Sequence, residues 1–264
     1  MNITTLEWLP SDVYNHFDLE LVDLSSLATT NKNIHELIRN SSIKINSVTT
    51  YSPRMKTWVR FLSNVKFTNE NLSYINLFSN VRSIDLSYTK LVDVSSLGRI
   101  HTLNLSYTDV IDVSSLGFLH TLNLCNTKVI DVSSLGRIHT LNLCNTNVVE
   151  VSSLGGVHNL DLSHNKVVDV SSLGGVHTLN LSGTHVVDVS NLGGVHTLNL
   201  SYTKVVDVSA LKRLHTLDLK STNVVDVSDL GNIHTLNILH TNVVDISNLG
   251  SVCVLGFRRN LCKT

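Results

Sequence analysis

The chain has 264 residues and a formal net charge of -1; 16% of its residues are charged, 5% aromatic and 42% hydrophobic, the last mostly Leu and Val. So even a charge excludes the basic face of a general nucleic-acid binder, and no apolar run reaches the roughly 18 to 20 residues that cross a bilayer. With no signal-peptide pattern in Met-Asn-Ile-Thr-Thr-Leu-Glu-Trp and four cysteines lacking any CxxC spacing, the expectation is a soluble cytoplasmic protein with reduced thiols, no metal and no cofactor.

Residues 1–40 do not repeat. Pro10, Ser11 and Asp12 mark a helix start, and Val13, Phe17, Leu21, Leu24, Leu27, Ile34, Leu37 and Ile38 follow at spacings that predict short amphipathic helices. At Leu9-Pro10, Val13, Phe17, Asp23-Leu24 and Asn31-Lys32 the segment resembles an F-box, with one residue fewer between Phe17 and Asp23 than the common spacing and no Cys before Lys32. The resemblance implies docking on the adaptor subunit of a cullin-based ubiquitin ligase through Leu9, Pro10, Val13, Phe17 and Leu24. The residues alone equally describe a helical cap.

Residues 41–80 read as an N-terminal cap with degenerate repeats. Ile45, Val48, Met55, Trp58 and Phe61, then Leu62, Val65, Phe67, Leu72, Ile75 and Phe78, keep a distorted unit spacing with larger side chains, as terminal repeats do.

From 81 to 251 one unit of 19 residues is copied nine times, and His101, His120, His139, His158, His177, His196, His215 and His234 stand in one column. A fixed period of this order marks a solenoid. In the unit that begins at Ile100, apolar residues occupy positions 1, 4, 6, 11, 14 and 17. Leu103-x-Leu105 alternates as a short half-buried strand, and the Asp-Val-Ser-Ser-Leu-Gly stretch supplies turn residues, with Gly at position 18 read as a place of cheap positive φ. The pattern resembles the leucine-rich repeat, here Ile100-x-x-Leu103-x-Leu105-x-x-Thr108-x-Val110, with Thr for the usual Asn at position 9 except at Asn165 and Asn260. The unit is shorter than the 20 to 29 residues usual for such repeats. The expected fold is therefore an α/β-type solenoid, mostly β: a stack of parallel strands, flat to gently curved, whose return limb is a second short strand or a 3-10 turn, preceded by a small N-terminal helical segment.

Two columns invite chemistry. Asp93, Asp112, Asp131, Asp169, Asp188, Asp207, Asp226 and Asp245, with Glu150 completing the set, lie near Ser and His in every unit, but a repeat guarantees these residue types without a unique constellation. The expectation is that each carboxylate caps a turn by accepting the amide two residues on, as Asp112 would from Ser114. The histidines are expected to form a structural ladder at the strand start. Variation between units falls at positions 7, 8, 10 and 19, which makes Tyr88, Tyr107, Phe118 and Tyr202 the expected partner-binding residues.

Residues 252–264 form a partial repeat whose Arg258, Arg259 and Lys263 would protect the last strand from edge pairing. An F-box followed by leucine-rich repeats is the layout of substrate receptors in cullin-based ubiquitin ligases, and the near-identical repeats are similar to expanded families of giant DNA viruses, which would place the protein in host cytoplasm. The expected function is a non-enzymatic scaffold for protein partners; the alternative is a plain repeat module that binds or self-assembles with no ubiquitin link.

Overall fold

A computed structural model describes residues 42–45, 64–67, 75–250 and 252–255. The F-box-like positions Leu9, Pro10, Val13, Phe17 and Leu24 and the basic C-terminal residues lie outside these described residues. The chain divides into two compact units, Met1–Asn123 and Leu124–Thr264.

In the first unit five strands, β1 (Ser42–Ile45), β2 (Asn64–Phe67), β3 (Ser83–Asp85), β4 (Thr102–Asn104) and β5 (Thr121–Asn123), pair in chain order and all in parallel. The second unit repeats the arrangement with β6 (Thr140–Asn142), β7 (Asn159–Asp161), β8 (Thr178–Asn180), β9 (Thr197–Asn199), β10 (Thr216–Asp218), β11 (Thr235–Asn237) and β12 (Cys253–Leu255). The register copies the sequence period: Leu103 faces Leu122 and Leu160 faces Leu179. The expected mostly-β solenoid of parallel strands is the fold observed.

Each strand is only three residues long in the regular repeats because the apolar alternation lasts only that long. Its central Leu is buried and its two neighbours are half-buried. All six apolar positions of the unit point inward, as Val157, Leu160, Leu162, Val167, Val170 and Leu173 show. A buried Leu or Val contributes about 1.5–3 kcal/mol, so every turn of the chain carries its own share of an aliphatic core.

The return limb resolves to a 3-10 turn, not a second strand. It spans Ser95–Leu97 and Ser114–Leu116 in the first unit and recurs in the second, for example at Ser190–Leu192 and Ser209–Leu211. The short unit leaves no room for more, and among the described residues there is no α-helix. The carboxylate column caps these turns as expected: Asp112 Oδ1 accepts the Ser114 amide at 2.9 Å, and Glu150 does the same for Ser152 at 2.8 Å.

Position 18 behaves differently from the expectation. Gly98, Gly117, Gly193 and Gly231 all have right-handed φ between -61 and -66°, and in this column only Gly250 takes a positive φ, 47°. The glycine is needed for close approach instead, since a Cβ at Gly98 would be driven into the carbonyl oxygen of Ser115 in the following repeat.

Thr at position 9 is also explained. Thr108 Oγ1 donates to the Leu105 carbonyl at 2.7 Å and so closes its own turn. Asn165, buried, closes its turn through Leu162 and also reaches the preceding one, donating to the Leu143 carbonyl at 2.7 Å and accepting from Thr146. Cys125 and Cys144 are thiols, but Cys253 is disulfide-bonded, which corrects the expectation of reduced thiols throughout. Missing CxxC spacing excludes only that one close pairing and says nothing of wider ones.

Candidate functional site

After each strand the chain turns through one residue in the left-handed region. Position 8 has φ between 51 and 67° in all nine repeats, at Tyr88, Tyr107, Asn126, Asn145, His164, Gly183, Tyr202, Ser221 and His240. Gly takes this conformation without strain, and Asn and His tolerate it better than most residues. For a tyrosine the backbone gains nothing, and the left-handed conformation costs roughly 1–2 kcal/mol.

The tyrosines are nevertheless exposed, Tyr88 at 71%, Tyr107 at 49% and Tyr202 at 57%. Tyr88 and Tyr107 stack face to face, with ring centroids 4.5 Å apart and planes 8° from parallel. Tyr202, in the second unit, has Lys220 Nζ 5.4 Å from its ring centroid, and its hydroxyl and charge hold Lys220 above its ordinary pKa. Elsewhere the column is polar: the Asn145 amide donates to Asn126, and Gly183 leaves space that the His164 ring fills.

The structure thus brings together two of the four expected partner residues. Phe118 is 82% exposed but precedes β5, whereas Tyr107 follows β4, so the two stand at opposite strand ends. The left-handed geometry was missed at the sequence level, although the Asn, Gly and His in that column were its signal.

The histidine ladder lies at the strand start. In the second unit His139, His158, His177, His196, His215 and His234 stack with centroids 4.6 to 4.8 Å apart. Ring Nδ1 of His177 is 3.3 Å from Thr178 Oγ1, and His139 and His196 stand in the same way against Thr140 and Thr197. Among the described residues no three His, Cys, Asp or Glu side chains form a group that could hold a metal ion. His158 and His196 have lowered pKa values, first because ring faces covered in the stack lose solvent and then because adjacent histidines would repel a second charge.

The carboxylates are on the return limb, where the Ser amide holds Asp131, Asp169, Asp188 and Asp207 below the usual range. Beside them runs a second column not foreseen from the sequence, exposed Ile130, Val149, Val168, Val187, Val206, Val225 and Val244. Its trace in the sequence is the second residue of each Val-Val or Val-Ile doublet. Among the described residues no helix is long and apolar enough to cross a membrane.

No protein-family model and no curated protein sequence matches the chain. Its fold is that of solved leucine-rich repeat structures. An internalin (inlF) from Listeria monocytogenes aligns over 95% of this chain and 78% of its own length, at 19% identity and a TM-score of 0.63. The functional domain of InlJ from Listeria monocytogenes, which includes a cysteine ladder, aligns over 84% of this chain at 22% identity and a TM-score of 0.62, and a Leptospira interrogans LRR protein over 80% at 19% and 0.60. The chain spans 54% of the former and 63% of the latter.

Proposed function

We propose that the protein is a non-enzymatic scaffold that binds a protein partner along the rim of left-handed turns. The observation that carries this reading is the stacked, exposed Tyr88–Tyr107 pair. Tyrosine is enriched among residues that dominate protein interfaces, and here it occupies a turn whose backbone favours Gly or Asn. The polar strand face offers less, because Asn and Asp side chains there are occupied with backbone, as Asn104 is with the Ser106 amide. The near-neutral charge and the ionised carboxylate column disfavour nucleic acid.

The test is affinity capture with the full chain and with the double variant Tyr88→Asn/Tyr107→Asn. Because relief of left-handed strain offsets loss of the stack, worth about 0.5–1.5 kcal/mol, the variant should melt within about 1 kcal/mol of the original. Proteins retained by the original should be lost from the variant. An identical set on both would overturn the rim assignment.

A finer reading rests on the sequence resemblance at Leu9, Pro10, Val13, Phe17 and Leu24: a substrate receptor whose N-terminal segment docks on a cullin-ligase adaptor. Co-purification of the purified adaptor with the full chain, and its loss in Leu9→Ala/Pro10→Ala, would support that role. Failure of the unaltered chain to retain the adaptor removes the ligase link and leaves the rim reading intact.

A further inference from the structure

Position 7 carries Ser in five of the nine repeats but Cys125 and Cys144 in two successive ones. Two backbone bonds bracket them: the Leu124 amide donates to the Asn142 carbonyl at 2.8 Å, and the Asn126 amide to the Cys144 carbonyl at 2.9 Å. Chains paired this way run about 4.8 Å apart, inside the Cα separation of roughly 4.4–6.8 Å that a disulfide accepts. Both thiols are half-exposed, whereas Ser106, Ser163 and Ser201 in the same column are buried, so a small reagent reaches them. Asn126 Nδ2 donates to Cys125 Sγ at 3.0 Å, and the two thiols lie close enough to interact with each other.

We propose that Cys125 and Cys144 are a dithiol modification site that closes to a disulfide between successive repeats, with a low-molecular-weight disulfide as oxidant. The Cys144 thiolate attacks one sulfur of the oxidant, the oxidant's S–S bond breaks, and one thiolate leaves. Cys125 then gives its proton to solvent and attacks Cys144 Sγ, expelling the second thiolate. Two protein thiols are oxidised to one disulfide, the oxidant is reduced to two thiols, and these take up the two protons. Burial, then the adjacent Cys144, push the Cys125 thiol up to about 11, so closure slows toward neutral pH, where little of it is thiolate.

The test treats the full chain, without denaturant, with oxidised glutathione, then alkylates and digests it with trypsin unreduced. Peptide 100–128, which holds Cys125, should be joined to peptide 138–166, which holds Cys144. Closure should accelerate roughly tenfold per pH unit between about pH 7 and 9, as the Cys125 thiolate fraction does. In Cys125→Ser glutathione should remain on Cys144. The proposal is overturned if the unaltered chain carries glutathione on both cysteines without the cross-link, if neither reacts, or if the link forms only after unfolding in urea.

Discussion

At the scale of single residues, the repeat shows one geometric task solved by different side chains. Position 9 must quench the carbonyl of position 6, and Thr does so with its hydroxyl, as Thr127 does to Leu124 at 2.7 Å. Asn165 does it with an amide that also binds the preceding turn, sharing Leu143 O with the Thr146 hydroxyl and accepting from the Thr146 amide. Substituting Asn165→Ala should therefore leave buried donors and acceptors unmatched and cost about 1–3 kcal/mol in a urea melt. Asn165→Thr should recover most of that, because the Thr146 amide can return to Leu143 O as the Thr127 amide binds Leu124 O at 3.2 Å. Equal losses in both variants would show that the site needs the amide itself. Position 8 is the converse case, one backbone conformation held by Tyr, Asn, His, Gly and Ser, and it is there that residue choice departs from backbone preference.

At the scale of elements, strand and return limb are each fixed by a different property, and they were not equally legible. The L-x-L strands and the Asp-capped turns could be read directly, because alternation and the two-residue Asp-to-Ser offset are local patterns with local causes. Position 18 could not, since a glycine in a sequence reports only a missing Cβ, not whether a positive φ or a close neighbour requires it. Nor could the doublet at positions 11 and 12 show by itself that the second residue stays in solvent. The tightness at position 18 is graded: a Cβ at Gly136 would be forced into Ser153 O, while at Gly231 it would lie 2.7 Å from Asn248 O, and Lys212 already occupies the column with φ -60°. Gly136→Ala should lower stability by about 1–3 kcal/mol, and Gly231→Ala by clearly less. Denaturant midpoints of the two variants check this; an equal effect would mean that the return limbs shift freely to make room.

At the scale of the whole molecule, repetition turns small side-chain effects into columns, and the histidines are where that accumulates. The groups that lower His158 are its own stack, desolvation first, then His177 and His139, and the same holds for His196 with His177 and His215. Where carboxylates act on one another, as Asp169 and Asp207 act on Asp188, they raise pKa values against the dominant lowering by serine amides. A histidine whose folded pKa lies below the unfolded value of about 6.5 leaves the unfolded chain holding more protons. Stability is then full above that value, declines as pH falls below it, and levels only after the folded rings have also protonated. The lowered carboxylates lose their contribution further down, below the unfolded value of about 3.9, so the two columns act in separate windows. Because His158 and His196 each feel the rings on either side, the transition they cause should be broad. Denaturant melts between about pH 7.5 and 5.5 should show falling stability in the unaltered protein, and a shallower fall once His158 and His196 are replaced by Asn. The same slope in both would mean that stacked imidazoles 4.6 to 4.8 Å apart are screened by water well enough to charge independently.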